Sequence, residues 1–280
     1  MHLISKIGLT LAAMTQTGIA AAEEYNGPVD GAIGFQAPAT PVMEEIIKFH
    51  DGFIFPVITV ITVFVMVLMA YIMWRFSEKR NPVPSKTTHH VGLEIAWTIV
   101  PVLILLFMVA PSMKLLYMQD RLPETDMTIK VIGNTWYWSY EYPDHADKVD
   151  AFDSLLLEKE DAKAAGKPYL LAADAPLVVP VDTKIKVLVT SNNNLHAFAV
   201  PAFGVKMDAV PGRLNETWFE VLREGTFYGQ CSELCGVRHA YMPIEVKAVS
   251  KADFNQWVAN GGAFTTRTAQ AGVSTPAAPK

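Results

Sequence analysis

Two long apolar stretches dominate the first half of the chain. Residues 53–76 carry a single charge, Arg75, near their end, and residues 95–112 carry none, with the apolar pattern continuing past Lys114 to Met118. At 1.5 Å per residue, a helix over either run spans the ~30 Å hydrocarbon core of a bilayer. Core helices of soluble proteins rarely stay this apolar for so long. The pattern therefore predicts two transmembrane helices, over 53–76 and 95–118, in a hairpin at 53–118 with a connecting loop at 77–94. Pro56, Pro101 and Pro111 are compatible with this, because neighbouring helices can satisfy the carbonyls a proline leaves free.

Past Met118 the period changes. Met127, Ile129 and Val131 alternate with polar neighbours, and short apolar or alternating runs recur at 177–181, 184–189, 195–200, 217–222, 226–228 and 244–249. Many short strands separated by Gly, Pro and Asn turns predict an all-β sandwich or barrel over residues 119–258. Residues 153–165 interrupt it as a charged, locally helical stretch within a broader insertion at 145–172. The last residues, 259–280, are rich in Ala, Thr and Pro and are expected to be disordered.

The N-terminus reads as a secretory signal over residues 1–22. His2 and Lys6 flank a modest apolar run to Ala20, and Ala20-Ala21-Ala22 offers a small-residue cleavage site. The loop between the apolar runs carries Arg75, Lys79, Arg80 and Lys86, whereas residues 23–52 carry only Lys48. The excess of positive charge places the loop in the cytoplasm, and residues 23–52 and everything after Met118 outside. Trp74 and Trp97 lie near the cytoplasmic helix ends, as interfacial aromatics should.

Composition adds two constraints. A net charge of −5 over 280 residues gives no support for nucleic-acid binding. Residues 119–258 hold 20 Asp and Glu against 14 Lys and Arg, a surface suited to steering a basic partner. The only two cysteines, Cys231 and Cys235, can form one disulfide or one metal site. Alone, a Cys-x3-Cys pair in an oxidising compartment reads as a disulfide. His239 and Met242 follow within the same short loop, and His196 lies 34 intervening residues before Cys231. A disulfide needs neither imidazole nor thioether beside it. Zinc has little use for methionine, whereas copper suits a mixed Cys/His site with a weak Met ligand. A mononuclear blue-copper site uses a single thiolate, so this set has one sulfur too many for it. Two sulfurs bridging two copper ions would use every candidate.

The segment Gly229-Gln230-Cys231-Ser232-Glu233-Leu234-Cys235-Gly236, with His239 and Met242-Pro243-Ile244, closely resembles subunit II of the haem-copper cytochrome c oxidases in its bacterial form. Val210-Pro211-Gly212-Arg213-Leu214-Asn215, Trp136-Tyr137-Trp138-Ser139-Tyr140-Glu141-Tyr142 and Phe49-His50-Asp51 share that resemblance, which covers residues 36–257. It implies a two-helix hairpin carrying a cupredoxin-like Greek-key β-domain with a binuclear CuA centre and no haem of its own. Cys231 and Cys235 would bridge both coppers. His196 and Met242 would complete one, and His239 and the Glu233 backbone carbonyl the other. The Glu233 side chain would hold a magnesium or manganese ion shared with subunit I.

The resemblance also assigns Trp136 as the ring that takes the electron from cytochrome c, although Asn134-Thr135 stands where many members have His-Gln. It places Glu94 near the mouth of a proton pathway of subunit I, and Asp208 is a candidate docking carboxylate. Cytochrome c oxidase activity, with subunits I and III as partners in the bacterial inner membrane and the β-domain in the periplasm, is what the resemblance implies. Quinol-oxidase relatives lack the metal ligands, and nitrous oxide reduction would need a large further catalytic domain.

Overall fold

A computed structural model describes residues 26–264. The expected signal peptide at 1–22 and most of the expected tail lie outside them. The described chain divides into two units, a helical hairpin over Glu45–Met118 and a β-domain formed by residues 26–44 together with residues 119–264.

The first helix begins earlier than its apolar run. Helix α1, Pro41–Phe49, passes through a π-helical turn at His50–Ile54 into α2, Phe55–Arg75. Thr40 caps the start, its hydroxyl oxygen accepting from the Met43 N–H at 3.1 Å. Pro41 follows at the first helical position, where a missing N–H costs nothing. Helix α3, Val91–Asp120, also starts ahead of its apolar run, and Pro101 and Pro111 lie inside it. Its cap is local. The Leu93 N–H donates to His90 Nδ1 at 3.2 Å, and the His90 N–H donates to Glu94 Oε1 at 3.1 Å. The exchange resembles a capping box, with histidine in the usual Ser/Thr place and the carboxylate one residue later than usual. No side chain of α2 or α3 is buried within the chain. Both helices are long and apolar enough to cross a membrane, and the chain is a membrane protein.

The β-domain is a sandwich of two five-stranded sheets. The first contains β1 (Met127–Asn134), β2 (Tyr137–Glu141), β3 (Phe152–Ser154), β5 (Lys184–Ser191) and β8 (Asn215–Glu220) in the order β3-β2-β1-β5-β8. The second contains β4 (Leu177–Pro180), β6 (His196–Val200), β7 (Val205–Ala209), β9 (Gly225–Cys231) and β10 (Pro243–Val249) in the order β4-β10-β9-β6-β7. Strand pairing is antiparallel except for β1 with β5 and β4 with β10. Alternation decides which face is buried. In β5, Ile185, Val187 and Val189 point inward with no exposed surface, while the alternate residues Lys184, Lys186 and Leu188 lie half-buried on the other face. In β2, Trp138 and Tyr140 do the same, and Tyr142 continues the pattern.

Phe203, Phe219 and Phe227 fill one part of the core with ring centroids 5.0–5.1 Å apart. Tyr142 anchors another, its ring tilted against Trp257 at 5.1 Å while its hydroxyl donates to the Val178 carbonyl at 2.8 Å. Trp257 belongs to a closing helix, α5 (Lys251–Ala259), capped by Ser250, whose Oγ accepts from the Asp253 N–H at 3.1 Å. The 145–172 insertion carries a short helix, α4 (Lys159–Ala164), after β3. Residues 26–40 form a belt on the β-domain. The Ala39 N–H donates to the Ala202 carbonyl, the Leu222 N–H to the Ala39 carbonyl, and the Thr40 hydroxyl to the Phe203 carbonyl.

Candidate metal centre

Strand pairing brings the separated donors together. β6 and β9 are neighbours, with Phe198 opposite Cys231. His196 begins the first and Cys231 ends the second, so both lie at one end of the sandwich. The loop after β9 returns to the same place. The Ser232 N–H donates to the Ala197 carbonyl at 3.0 Å and the Cys231 N–H to the Met242 carbonyl at 3.1 Å. Between them a short 3-10 helix, His239–Tyr241, turns His239 back toward Cys235.

The two sulfurs lie 3.8 Å apart. His196 Nδ1 is 3.8 Å from Cys231 Sγ, and His239 Nδ1 is 3.5 Å from Cys235 Sγ. The Glu233 carbonyl oxygen accepts from Cys231 Sγ at 3.3 Å. Met242 is wholly buried in the same cluster as both cysteines. Both thiols are free, well beyond the ~2.05 Å of a disulfide. With metal–sulfur bonds of about 2.3 Å, sulfurs at this spacing can share a metal between them. The donor set therefore fits a soft metal of the copper type, and the ligating atoms of His196, Cys231 and Cys235 all lie within 4.8 Å of one another.

The electrostatics favour metal over bare thiolates. Burial pushes the Cys235 thiol well above the usual range, and the adjacent Cys231 sulfur opposes a second negative charge. Two thiolates so placed need a cation beside them. Burial, then the nearby His239, holds His196 below the usual histidine range, which keeps its imidazole neutral and able to ligate. Its tautomer is fixed by Asn193, whose Oδ1 lies 3.2 Å from Nε2. With an acceptor there, the proton sits on Nε2, and the Nδ1 lone pair faces the sulfurs.

Three supporting residues were not among the sequence candidates. Asn193 is one. Trp138 is the second, standing edge-on to His196 at 6.1 Å between ring centroids. Gly133 is the third, where an added Cβ would lie 2.9 Å from His196 Cδ2. Their signal in the sequence is faint, an asparagine triplet before His196 and a glycine inside a strand. Asn134 also serves the site. Its Oδ1 accepts from Asn192 Nδ2 at 2.8 Å, which ties the end of β1 to the loop that carries His196.

The other sequence candidates are dispersed. Trp136 is half-buried beside the metal loop, its Nε1–H donating to the Cys235 carbonyl at 3.0 Å. Its ring leaves room only for glycine at Gly236, where an added Cβ would come within 3.2 Å and φ is +114°. The Glu233 side chain is exposed at the surface of the loop. Asp208 is exposed on β7, opposite Ala197. Glu94 lies in the hairpin, where its carboxylate caps α3.

Fold and site together define a membrane-anchored β-sandwich whose clustered cysteines and histidines can bind copper. A model described as the periplasmic domain of cytochrome c oxidase subunit II matches residues 127–249, and its transmembrane counterpart matches residues 28–115. The chain belongs to the cytochrome c oxidase subunit II family. It is 46% identical over 233 residues to a probable cytochrome c oxidase subunit 2 of Rickettsia bellii, covering 83% of this chain and 85% of that one. It is 45% identical over 274 residues to the cytochrome c oxidase subunit 2 of Cereibacter sphaeroides, covering 92% of this chain and 89% of that one. The crystal structure of the periplasmic domain of subunit II of the cytochrome oxidase of Bradyrhizobium japonicum is 50% identical. It covers 50% of this chain and 96% of that chain, with a TM-score of 0.46.

Proposed function

We propose that this chain is the electron-accepting subunit of its oxidase, with two copper ions held between Cys231 and Cys235. The observation that carries the reading is the pair of sulfurs 3.8 Å apart with an imidazole nitrogen facing each. His196 and Met242 complete one side, and His239 with the Glu233 carbonyl the other. A copper pair bound here supplies a one-electron store shared over two metals. The protein's part is to hold the donors rigid, so that little moves when charge arrives.

Trp136 is the point of arrival for the electron of cytochrome c. Its ring is partly exposed, and its indole N–H bonds to the backbone of a bridging cysteine. The acidic surplus of the β-domain attracts a basic donor, and Asp208, exposed on β7, takes part in docking. The electron then passes to haem in subunit I, where oxygen is reduced to water with proton pumping. Subunit III completes the partners. The exposed Glu233 carboxylate holds a magnesium or manganese ion against subunit I, and Glu94 stands near a proton pathway in addition to capping α3. The β-domain and residues 23–52 lie in the periplasm of a bacterial inner membrane, with the loop at 77–94 in the cytoplasm.

Copper analysis and electron spin resonance of the purified oxidase test this reading. About two coppers assigned to this chain, with a signal delocalised over both, is the expected result; sulfurs found metal-free or joined as a disulfide overturn it. Replacing Met242 with Leu should shift the redox potential while preserving the fold, and an unchanged potential removes Met242 from the ligand set. Trp136→Phe should load copper normally and accept electrons slowly. Unimpaired turnover with cytochrome c would remove Trp136 from the path.

A further inference from the structure

At the end of the hairpin from which the chain runs on into β1, a crevice of about 400 Å³ opens between the two helical arms. Its walls are apolar, with Phe49 stacked on Phe53 at 5.9 Å on one side and Leu115 and Met118 on the other. The opening has local causes. The π-helical turn at His50–Ile54 widens one arm, and Gly52 adds no side chain, a Cβ there meeting nothing within 4 Å. Pro111 removes a backbone donor from the other arm.

The rim is charged. Lys48 and Lys114 border it with one carboxylate, Glu45, whose Oε1 lies 2.6 Å from Lys48 Nζ. Among the described residues Lys114 makes no ion pair, and it is exposed. Its depth is set by the sequence. The 19 residues at 95–113 carry no charge and rise about 28 Å as a helix, close to the hydrocarbon thickness. Lys114 therefore stands at the boundary where lipid phosphates lie. Glu45, the one carboxylate at the rim, is in contact with Lys48 rather than Lys114, so an ammonium at that depth beside an apolar slot is complementary to an anion carrying a hydrocarbon chain.

We propose that this crevice is a binding site for one anionic phospholipid in the leaflet on the β-domain side. Lys114, with Lys48, takes the phosphate, and the deeper end of the crevice, at Gly52, Phe53 and Pro111, takes the first carbons of an acyl chain. With two cations and one carboxylate at the rim, phosphatidylglycerol or cardiolipin is preferred over a zwitterionic lipid. The inference does not depend on copper at the β-domain site.

The test uses the intact oxidase, purified in a neutral detergent and washed extensively. Its retained phospholipids are counted by class, for the natural protein and for Lys114→Gln, Lys114→Arg and the loop variant Lys79→Gln. Retained anionic lipid should fall about fivefold in Lys114→Gln, be kept in Lys114→Arg and Lys79→Gln, and leave the copper signals unchanged. Equal anionic lipid in the natural protein and Lys114→Gln overturns the proposal, as does equal loss of neutral and anionic classes. So does displacement of the retained lipid by millimolar inorganic phosphate, which would make the rim a simple anion site. If Lys114→Gln fails to assemble, light-activated lipid analogues applied to the natural complex decide. Labelling of residues 45–55 and 111–118 by the anionic but not the zwitterionic analogue is expected, and equal labelling, or a protein segment found filling the crevice, refutes it.

Discussion

The closest constraint on the metal centre is a missing methyl group. An added Cβ at Gly133 would lie 2.9 Å from the His196 ring, a distance real side chains do not tolerate. Gly133→Ala should therefore displace the imidazole and destabilise the β-domain by about 1–3 kcal/mol. The check is a changed copper spectrum and a lowered unfolding midpoint in the same sample. The buried tyrosines set a pH limit. Burial holds the phenols of Tyr140 and Tyr142 well above their ordinary range. The unfolded chain releases those protons near pH ~10, so their contribution to stability is intact below that pH and is lost above it. Tyrosinate absorbance at 295 nm from these two residues should appear only together with loss of β-sheet signal. Ionisation in a still-folded domain would contradict the burial argument. At this scale the candidate donors were legible as a group, because four lie in one twelve-residue stretch with chemistry that a disulfide does not explain, and the fold brings them together. Asn193, Gly133 and Trp138 were not, because each acts only through where β1, β2 and β6 place it around His196.

Secondary elements were legible where one period runs long enough. The Lys184–Ser191 strand is apolar or alternating over most of its length, with only Leu188 out of step, and the two apolar runs predict their helices directly. Short elements escaped for physical reasons. β7, Val205–Ala209, alternates apolar and polar residues over only five positions and leaves Met207 half-buried, a run too short to mark a strand until β6 pairs with it. Helix α5 mixes polar and apolar residues without a wide stripe, yet Ser250 followed three residues later by Asp253 is a capping signature that announces it. Thr40-Pro41 announces α1 in the same way. The 145–172 insertion is fastened by one buried carboxylate. Glu245, only 1% exposed, bonds Lys167 Nζ at 2.6 Å and the Ala173 N–H at 2.9 Å. Lys167→Met leaves that charge without its cation. Because the lysine is one-third exposed, the expected loss is about 1–3 kcal/mol, below the full cost of breaking a buried pair. Adding Glu245→Gln should recover part of it. Hydrogen exchange should rise over residues 155–173 in Lys167→Met and leave the metal loop protected.

At the scale of the whole molecule, the belt formed by residues 26–40 constrains topology. It precedes both helices, yet its backbone is bonded to Ala202 and Leu222, which follow both. Belt and β-domain must then lie on one side of the lipid, and the chain between them must cross an even number of times, as two helices do. Labelling of an introduced cysteine, against the natural protein with its buried Cys231 and Cys235 as background, checks this. A probe that cannot cross the membrane should reach Ser85→Cys from one side only and Val29→Cys from the opposite side, in intact cells against inverted vesicles. Equal access to both positions from one side would contradict the hairpin. The belt also makes biogenesis self-checking. It is synthesised before both helices and must be held ready until its partners arrive, 163 residues after Ala39 for Ala202 and 183 for Leu222. A chain stranded with a single crossing would hold Ala39 and Ala202 apart across the lipid, leaving the sandwich without its strap and exposed to quality-control proteases.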